Sequence, residues 1–173
     1  ALAAPPMLLF SPEILTIAAD RGLPEQWAPL CVAAGSAASA AGRLLCPAAS
    51  DHWGRKPVLY GVYAALAAGS IGFAFAQGWW VLAAYCVLTC FYSGGAAVQP
   101  ALNTDLFGLA HAGVNYGLIA LGMSAGSLLS YAGSQLLDLP ARHMLAVASA
   151  VAGGICFLFV KPVATVEKQQ GNG

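Results

Sequence analysis

Residues 27–77 read WAPLCVAAGSAASAAGRLLCPAASDHWGRKPVLYGVYAALAAGSIGFAFAQ, and they decide the fold because two long apolar runs stand on either side of a short polar connection. The runs, residues 27–48 and 57–77, each have about 20 residues, the length of helix that crosses a bilayer core about 30 Å thick. A backbone in hydrocarbon must satisfy its own hydrogen bonds, which a helix does. The stretch therefore predicts two membrane-spanning helices joined by a short connection.

The same pattern continues on both sides of this stretch. Of the 173 residues, 59% are hydrophobic and only 8% are charged, which is too little polar surface for a soluble globule. Turn-forming and charged residues separate the apolar runs. Six spans are predicted, at residues 1–19, 27–48, 57–77, 79–100, 114–137 and 141–160, with a tail at residues 161–173. The expected fold class is an all-α membrane protein with a bundle of six transmembrane helices.

Composition also argues against several kinds of function. Seven Lys and Arg balance seven Asp and Glu, so there is no basic field to hold nucleic acid. The five cysteines are scattered through apolar runs without metal-ligand or disulfide spacing, so no metal and no cofactor are expected. An intramembrane serine hydrolase is a remote alternative, since Ser93 and Ser124 lie in spans. His111 and His143, however, fall at connections near opposite faces, out of reach of a common nucleophile, and we expect no enzyme.

Basic residues indicate the orientation of the chain in the membrane. If the chain has six spans, four basic residues lie on one side of the membrane, namely Arg55, Lys56, Lys161 and Lys168. Two lie on the other side, Arg21 and Arg142. The side with more basic residues is usually cytoplasmic. The tail is therefore expected in the cytosol and the protein in the plasma membrane.

Three of the predicted helices carry polar residues at helical spacing. In the span at 27–48, Ser36, Ser39 and Arg43 stand at i, i+3 and i+7 and therefore share a face. The spans at 79–100 and 114–137 carry similar stripes. Serine and glycine also serve merely to let membrane helices pack closely, which accounts for many such positions. The candidate substrate-binding residues are Arg43, Ser39, Ser36, Tyr92, Gln99, Ser124 and Tyr131.

Arg43 is the most informative of these residues. An arginine inside a span costs about 3 kcal/mol on insertion scales and usually faces a protein interior or an aqueous cavity where an anion can meet it. Two other interpretations stay open. The side chain can reach lipid phosphate at the nearby end of the helix, or it can form an internal ion pair.

The connection between the two spans of residues 27–77 has the chemistry of a conformational latch. Gly54 permits the turn, Asp51 can accept backbone N–H bonds at a helix start, and Arg55 can pair with acids or carbonyls. With Lys56, these residues form the candidate latch. A latch of this kind makes contacts that form in one conformational state of a protein and break in another.

The segment GRLLCPAASDHWGRK, residues 42–56, resembles the short cytoplasmic loop motif of the major facilitator superfamily. In that motif a glycine precedes an Ala/Ser-Asp pair, which is followed by arginine, any residue, glycine, arginine and a basic residue. Asp51, Gly54, Arg55 and Lys56 match it. Pro47 and His52 depart from it, the former where the leading glycine is usual and the latter where arginine is usual.

A narrower resemblance, to the oxalate/formate antiporter family and the broader monocarboxylate porters, rests on five short segments: Gly42-Arg43, Ser50-Asp51, Gly54-Arg55, Phe107-Gly108 and residues 113–118, GVNYGL. It implies twelve helices in two six-helix halves, alternating access, and exchange or proton-coupled movement of small mono- or dicarboxylates. The chain would be the carboxy-terminal half. Because it opens at Ala1 inside an apolar run without an initiator Met, it is expected to be a fragment that lacks its amino-terminal half.

The resemblance also bears on the ligand. Arg43 matches the position of a carboxylate-pairing arginine in that family, whereas Met123 stands where its oxalate carrier has a lysine. One carboxylate held by one arginine is then the more natural fit. The expected partners are the lipid bilayer, a small organic anion and the amino-terminal half. A membrane scaffold that does not transport, or a degenerate half-transporter, is the alternative function.

Overall fold

The computed structural model describes residues 3–109 and 111–159, and within these ranges the chain is helical without any β-strand. Two short 3-10 turns lie at Ser11–Glu13 and Glu25–Trp27. The α-helices in the described ranges are α1 Pro5–Leu8, α2 Ile14–Asp20, α3 Ala28–Trp53, α4 Arg55–Phe75, α5 Trp79–Phe107, α6 Ala112–Leu136 and α7 Leu139–Leu158.

Five of these helices, α3 to α7, are long and apolar enough to cross a membrane. The shortest of the five has 20 residues, or about 30 Å at 1.5 Å per residue. The prediction of an all-helical membrane protein is therefore confirmed for the described residues. The predicted tail at residues 161–173 lies outside them.

The segment predicted as a first span at residues 1–19 is interrupted. Its helical parts, α1 and α2, are separated by the 3-10 turn. Pro12 accounts for the interruption, because proline has no backbone N–H and its ring clashes with the carbonyl group four residues earlier, that of Leu8. Leu9 and Phe10 are fully buried at the break. The protein therefore shields this irregular backbone, as a membrane requires.

Two other helices run further than predicted. α3 reaches Trp53 instead of residue 48, so Gly54 alone separates it from α4. α5 reaches Phe107 instead of residue 100 and contains Pro100 in its interior. Each helix ends at a glycine with a positive φ, +93° at Gly54 and +74° at Gly108. Backbone conformation rather than loss of hydropathy sets these two boundaries.

The most extensive helix contact is between α3 and α5. A Cβ atom added to Gly42 would collide with the carbonyl oxygen of Cys90, and one added to Gly94 would lie 2.8 Å from the carbonyl oxygen of Gly42. The two backbones approach this closely because neither glycine has a side chain, which is a common way for helices to associate in a membrane. These glycines fix the register of α3 against α5.

The remaining helices pack around this pair. α4 lies against α5 and α7, the short α1 against α7, and α2 against α3. α6 is the least buried of the five long helices, and its buried residues are all small: Gly126, Ser130, Gly133 and Ser134. The rest of its surface is open to the surroundings of the bundle.

Polar contacts hold the connections together at each end of the bundle. At the first end, which we call the Gly54 end, Arg55 Nε donates to Asp105 Oδ2 over 3.1 Å and thereby joins α4 to α5. At the opposite end, which we call the Arg21 end, the Gly78 amide donates to the Arg21 carbonyl over 2.8 Å. There Arg142 also forms an ion pair of 2.6 Å with Glu13, which ties α7 to the interrupted segment.

The Arg21 side chain strengthens the Arg21 end. Its guanidinium donates to the carbonyls of Phe73 and Ala76 at the end of α4 and lies over the Phe73 ring, 5.2 Å from its centre. It also lies 2.9 Å from His143 Nε2, and because a guanidinium only donates, this ring nitrogen accepts. Burial lowers the pKa of Arg21 from its usual value. One side chain thus links α2, α4 and α7.

The close contact at Gly42 can be tested by its effect on thermal stability. Gly42→Ala places a methyl group against the backbone of Cys90, which can yield only if a helix moves, so we expect a loss of about 1–3 kcal/mol. For a chain of this size that corresponds to a thermal midpoint lower by about 3–10 °C in detergent.

Gly61→Ala is the matched control, because it lies in the interior of α4 with open space around its Cβ position. It should leave the midpoint unchanged or raise it, since alanine is favoured over glycine in a helix by about 0.5–1 kcal/mol. Equal midpoints for the two variants would show that α3 and α5 are not in close contact.

Candidate functional site

A groove of about 570 Å³ runs along α3 where it faces the interrupted segment and α5. We call it the Arg43 groove. Its polar lining residues are Ser11, Ser36, Ser39, Arg43, Tyr85 and Thr89. The apolar part of the wall includes Met7, Val32 and Leu44. The groove thus combines one cation, several hydroxyl groups and a hydrocarbon surface.

Arg43 is exposed along this groove. No carboxylate lies within ion-pair distance of it in the described part of the chain. An internal ion pair, one of the interpretations left open by the sequence, finds no partner among these residues.

The structure brings Ser36 and Ser39 to the same groove, as their spacing predicts. Ser36 Oγ donates to its own helix at the Val32 carbonyl over 2.8 Å. Ser39 Oγ shares a hydrogen bond of 2.6 Å with Ser93 Oγ on α5. Ser39 therefore combines two roles, since it ties α3 to α5 and also borders the groove one turn before Arg43.

The other predicted substrate residues lie elsewhere. Tyr92 and Gln99 border a small cavity of about 30 Å³, which Met123 also lines. Gln99 Oε1 is buried there and finds no partner among the described residues. Ser124 and Tyr131 lie on the exposed surface of α6, where Ser124 Oγ donates to the Ala120 carbonyl over 3.1 Å. The seven candidates thus occupy three separate places in this structure.

Ser11 and Asp105 were not predicted as functional residues from the sequence. Ser11 borders the Arg43 groove and its Oγ lies 3.2 Å from Tyr85 Oη, but its segment was predicted as a plain helix. The following Pro12 was the signal that the helix breaks there. Asp105 was overlooked because the predicted span ended at residue 100, whereas α5 carries it to the Gly54 end.

The candidate latch residues come together at the Gly54 end. The Arg55 guanidinium bonds to Asp51, to Ser50 Oγ over 2.6 Å and to Asp105 over 3.1 Å. It therefore connects the end of α3, the start of α4 and the end of α5. Lys56 follows at the start of α4 and is partly buried. Asp105, which lies outside the sequence motif, is thus a further member of the candidate latch.

The polar lining of the Arg43 groove consists of hydroxyl groups and one guanidinium. Among the described residues that line the Arg43 groove there is no histidine, aspartate or glutamate to act as a general base. Ser93 bonds to Ser39, while the His143 ring contacts Arg21 at the Arg21 end. In the described ranges no group of His, Cys, Asp and Glu side chains is placed to hold a metal ion.

The model of the Major Facilitator Superfamily matches residues 4–172. The chain therefore belongs to the major facilitator superfamily, whose members are membrane transporters. Together with its five apolar helices, this makes it a multi-pass membrane protein. A comparison with curated proteins found no match.

Gly54 provides a test of the connection that carries the latch. Its φ of +93° and ψ of 155° fall in a region that only glycine adopts readily, so Gly54→Ala should cost about 1–3 kcal/mol. Thermal unfolding in detergent measures the loss, with Gly61→Ala in the following helix, α4, as control. If Gly54→Ala were as stable as the parent protein, the single-residue connection would be wrong.

Proposed function

We propose that the protein is a secondary transporter that moves a small organic anion by alternating access, and that Arg43 binds the carboxylate of that anion. The observation that carries the proposal is the environment of Arg43. This cation belongs to a membrane-spanning helix, is exposed in the groove beside it and has no carboxylate partner among the described residues. An arginine at such depth is favourable only where an anion or water meets it.

The chemistry of the guanidinium favours a carboxylate. Its planar fork of donors matches the two carboxylate oxygens with parallel charge-assisted hydrogen bonds. Ser39, one turn earlier on the same face, adds a hydroxyl beside it. The resemblance to oxalate/formate antiporters and monocarboxylate porters points to the same ligand class. With methionine at position 123, one carboxylate is the better fit than two.

We further propose that the described helices belong to one six-helix unit and that a second unit of the same polypeptide closes the groove. A substrate site between two units is the general arrangement in such transporters. The exposed polar side chains of Ser124 and Tyr131 on the little-buried α6 suit a water-filled space between the units. Tyr92 and Gln99 would then contribute from the α5 side.

The orientation proposed from the sequence places the Gly54 end in the cytoplasm. Arg55 and Lys56 lie at this end, and Arg21 and Arg142 lie at the other. The described connections carry two basic residues at each end, so the proposed orientation rests on Lys161 and Lys168 of the sequence, which give the tail side its excess of basic residues. The plasma membrane is the proposed location.

The contacts of the proposed latch are a second argument for alternating access, independent of Arg43. Arg55 holds three helices together at the proposed cytoplasmic end, while the Asp51 and Asp105 side chains are 66% and 54% exposed. Exposed ion pairs contribute little to stability, about 0–1 kcal/mol each. Contacts of this strength can form in one state of the transporter and break in the other without unfolding it.

Asp51→Asn tests the latch. The substitution removes one charge from the Arg55 network and leaves the Arg43 groove intact, so we expect turnover to fall more than affinity changes. Uptake into proteoliposomes gives turnover, and equilibrium binding in nanodiscs gives affinity. A collapse of binding with normal expression would contradict the latch role.

Arg43 tests the anion site, in the polypeptide that carries both units. Charge-assisted hydrogen bonds contribute about 1.5–3 kcal/mol each, so Arg43→Gln should weaken monocarboxylate binding at least tenfold. Arg43→Lys keeps the charge without the planar fork and should bind with intermediate affinity. Affinity is measured in nanodiscs, with a monodisperse elution profile as the folding control.

An unchanged affinity in a folded Arg43→Gln protein would favour the lipid-phosphate interpretation of this side chain. Absence of uptake by the intact parent protein for every monocarboxylate tested would favour the non-transporting scaffold instead.

A further inference from the structure

We infer that Ser11 and Tyr85 form a second recognition point in the Arg43 groove, so that the transported anion is a monocarboxylate with a neutral hydroxyl or carbonyl oxygen several carbons from its carboxylate. The inference rests on the proposed anion-binding role of Arg43 and narrows its ligand class.

The first argument is a donor that the protein leaves unused. Ser11 Oγ and Tyr85 Oη lie 3.2 Å apart, and both residues line the groove. Two hydroxyl groups carry two hydrogens, of which their mutual hydrogen bond uses one. The other O–H has no acceptor among the described residues. A ligand oxygen in the groove would satisfy it.

The other hydroxyl groups of the groove are differently engaged. Thr89 Oγ1 donates to the Tyr85 carbonyl over 3.0 Å, and Ser36 Oγ donates to the Val32 carbonyl. Ser39 lies one turn from Arg43 and therefore serves the carboxylate itself. The pair formed by Ser11 and Tyr85 is the donor in the groove that stands away from Arg43.

The position of Tyr85 sets the distance between the two recognition points. Its ring packs on Gly35, where an added Cβ would lie 3.1 Å from Tyr85 Cδ1. Arg43 follows Gly35 by eight residues, which is about 12 Å along the axis of α3. The Arg43 side chain leans back toward the start of its helix and shortens this gap. A bridging chain of about four to six carbons fits the remainder, at about 1.3 Å per bond.

The wall between the two points is suited to hydrocarbon. Val32 and Leu44 line the groove and are 46% and 74% exposed, with Met7 on the interrupted segment. Covering such surface contributes about 25 cal/mol per Å². Arg43 is the sole cation among the described lining residues, so a second carboxylate would be buried without a counter-charge. The distal oxygen is therefore neutral.

The test compares hexanoate with 6-hydroxyhexanoate by equilibrium binding to the polypeptide that carries both units, in nanodiscs. An added hydrogen bond contributes about 0.5–1.5 kcal/mol, so the hydroxy acid should bind about three- to tenfold more tightly. Each single variant leaves one O–H donor of the pair, so it is the double variant Tyr85→Phe/Ser11→Ala that should reduce this ratio to within twofold. Tyr85→Phe keeps the ring that packs on Gly35, so it is expected to fold.

Two matched control variants remove a tyrosine and a serine hydroxyl group that lie outside the groove. The first is Tyr60→Phe, since Tyr60 lies on α4 and its hydroxyl donates to the Phe157 carbonyl. The second is Ser70→Ala, which removes a hydroxyl that donates to the Leu66 carbonyl within α4. Both should keep the preference for the hydroxy acid.

The outcomes separate this inference from the proposed function. If hexanoate binding depends on Arg43 but the two acids bind equally, or if the preference survives in the double variant Tyr85→Phe/Ser11→Ala, the second recognition point is wrong and the anion site stands. If neither acid binds, or if Arg43→Gln changes nothing, the anion site itself is wrong.

Discussion

The close approach of α3 and α5 at Gly42 and Gly94 is the constraint from which the groove follows. With Gly42 against α5, the next residue is turned by about 100° around the helix, which directs Arg43 away from the contact and into the groove. The same register brings Ser39 to Ser93 and lays the Tyr85 ring on Gly35. A bulkier side chain at either glycine would separate the helices and disperse these groups.

The parts of the structure that the sequence predicts are those that one helix determines by itself. Length and apolarity identify α3 to α7, and the 3.6-residue period gathers Ser36, Ser39 and Arg43 on one face. How Tyr92 or Tyr131 lies relative to that face depends on packing between helices, which periodicity does not contain. The sequence therefore predicts the Arg43 face of the site better than its other walls.

The ends of the helices are a second feature that the hydropathy pattern does not predict. A hydropathy pattern ends where charge begins, yet a helix in water continues until its backbone turns, which α3 does at Gly54 and α5 at Gly108. The extra turns carry Asp51 and Asp105 to Arg55. The latch is thus built from helix ends that lie beyond the apolar spans, where composition gives no warning of the helix.

The interrupted first segment bears on how the protein is made. α1 and α2 have four and seven residues, and neither can cross a bilayer or satisfy its backbone there alone. Its partners include α3 and, through the bond between Glu13 and Arg142, a residue 129 positions further along the chain. The segment can therefore complete its packing only after α7 has been synthesised. It is translated before α3 to α7 but reaches its final contacts after them.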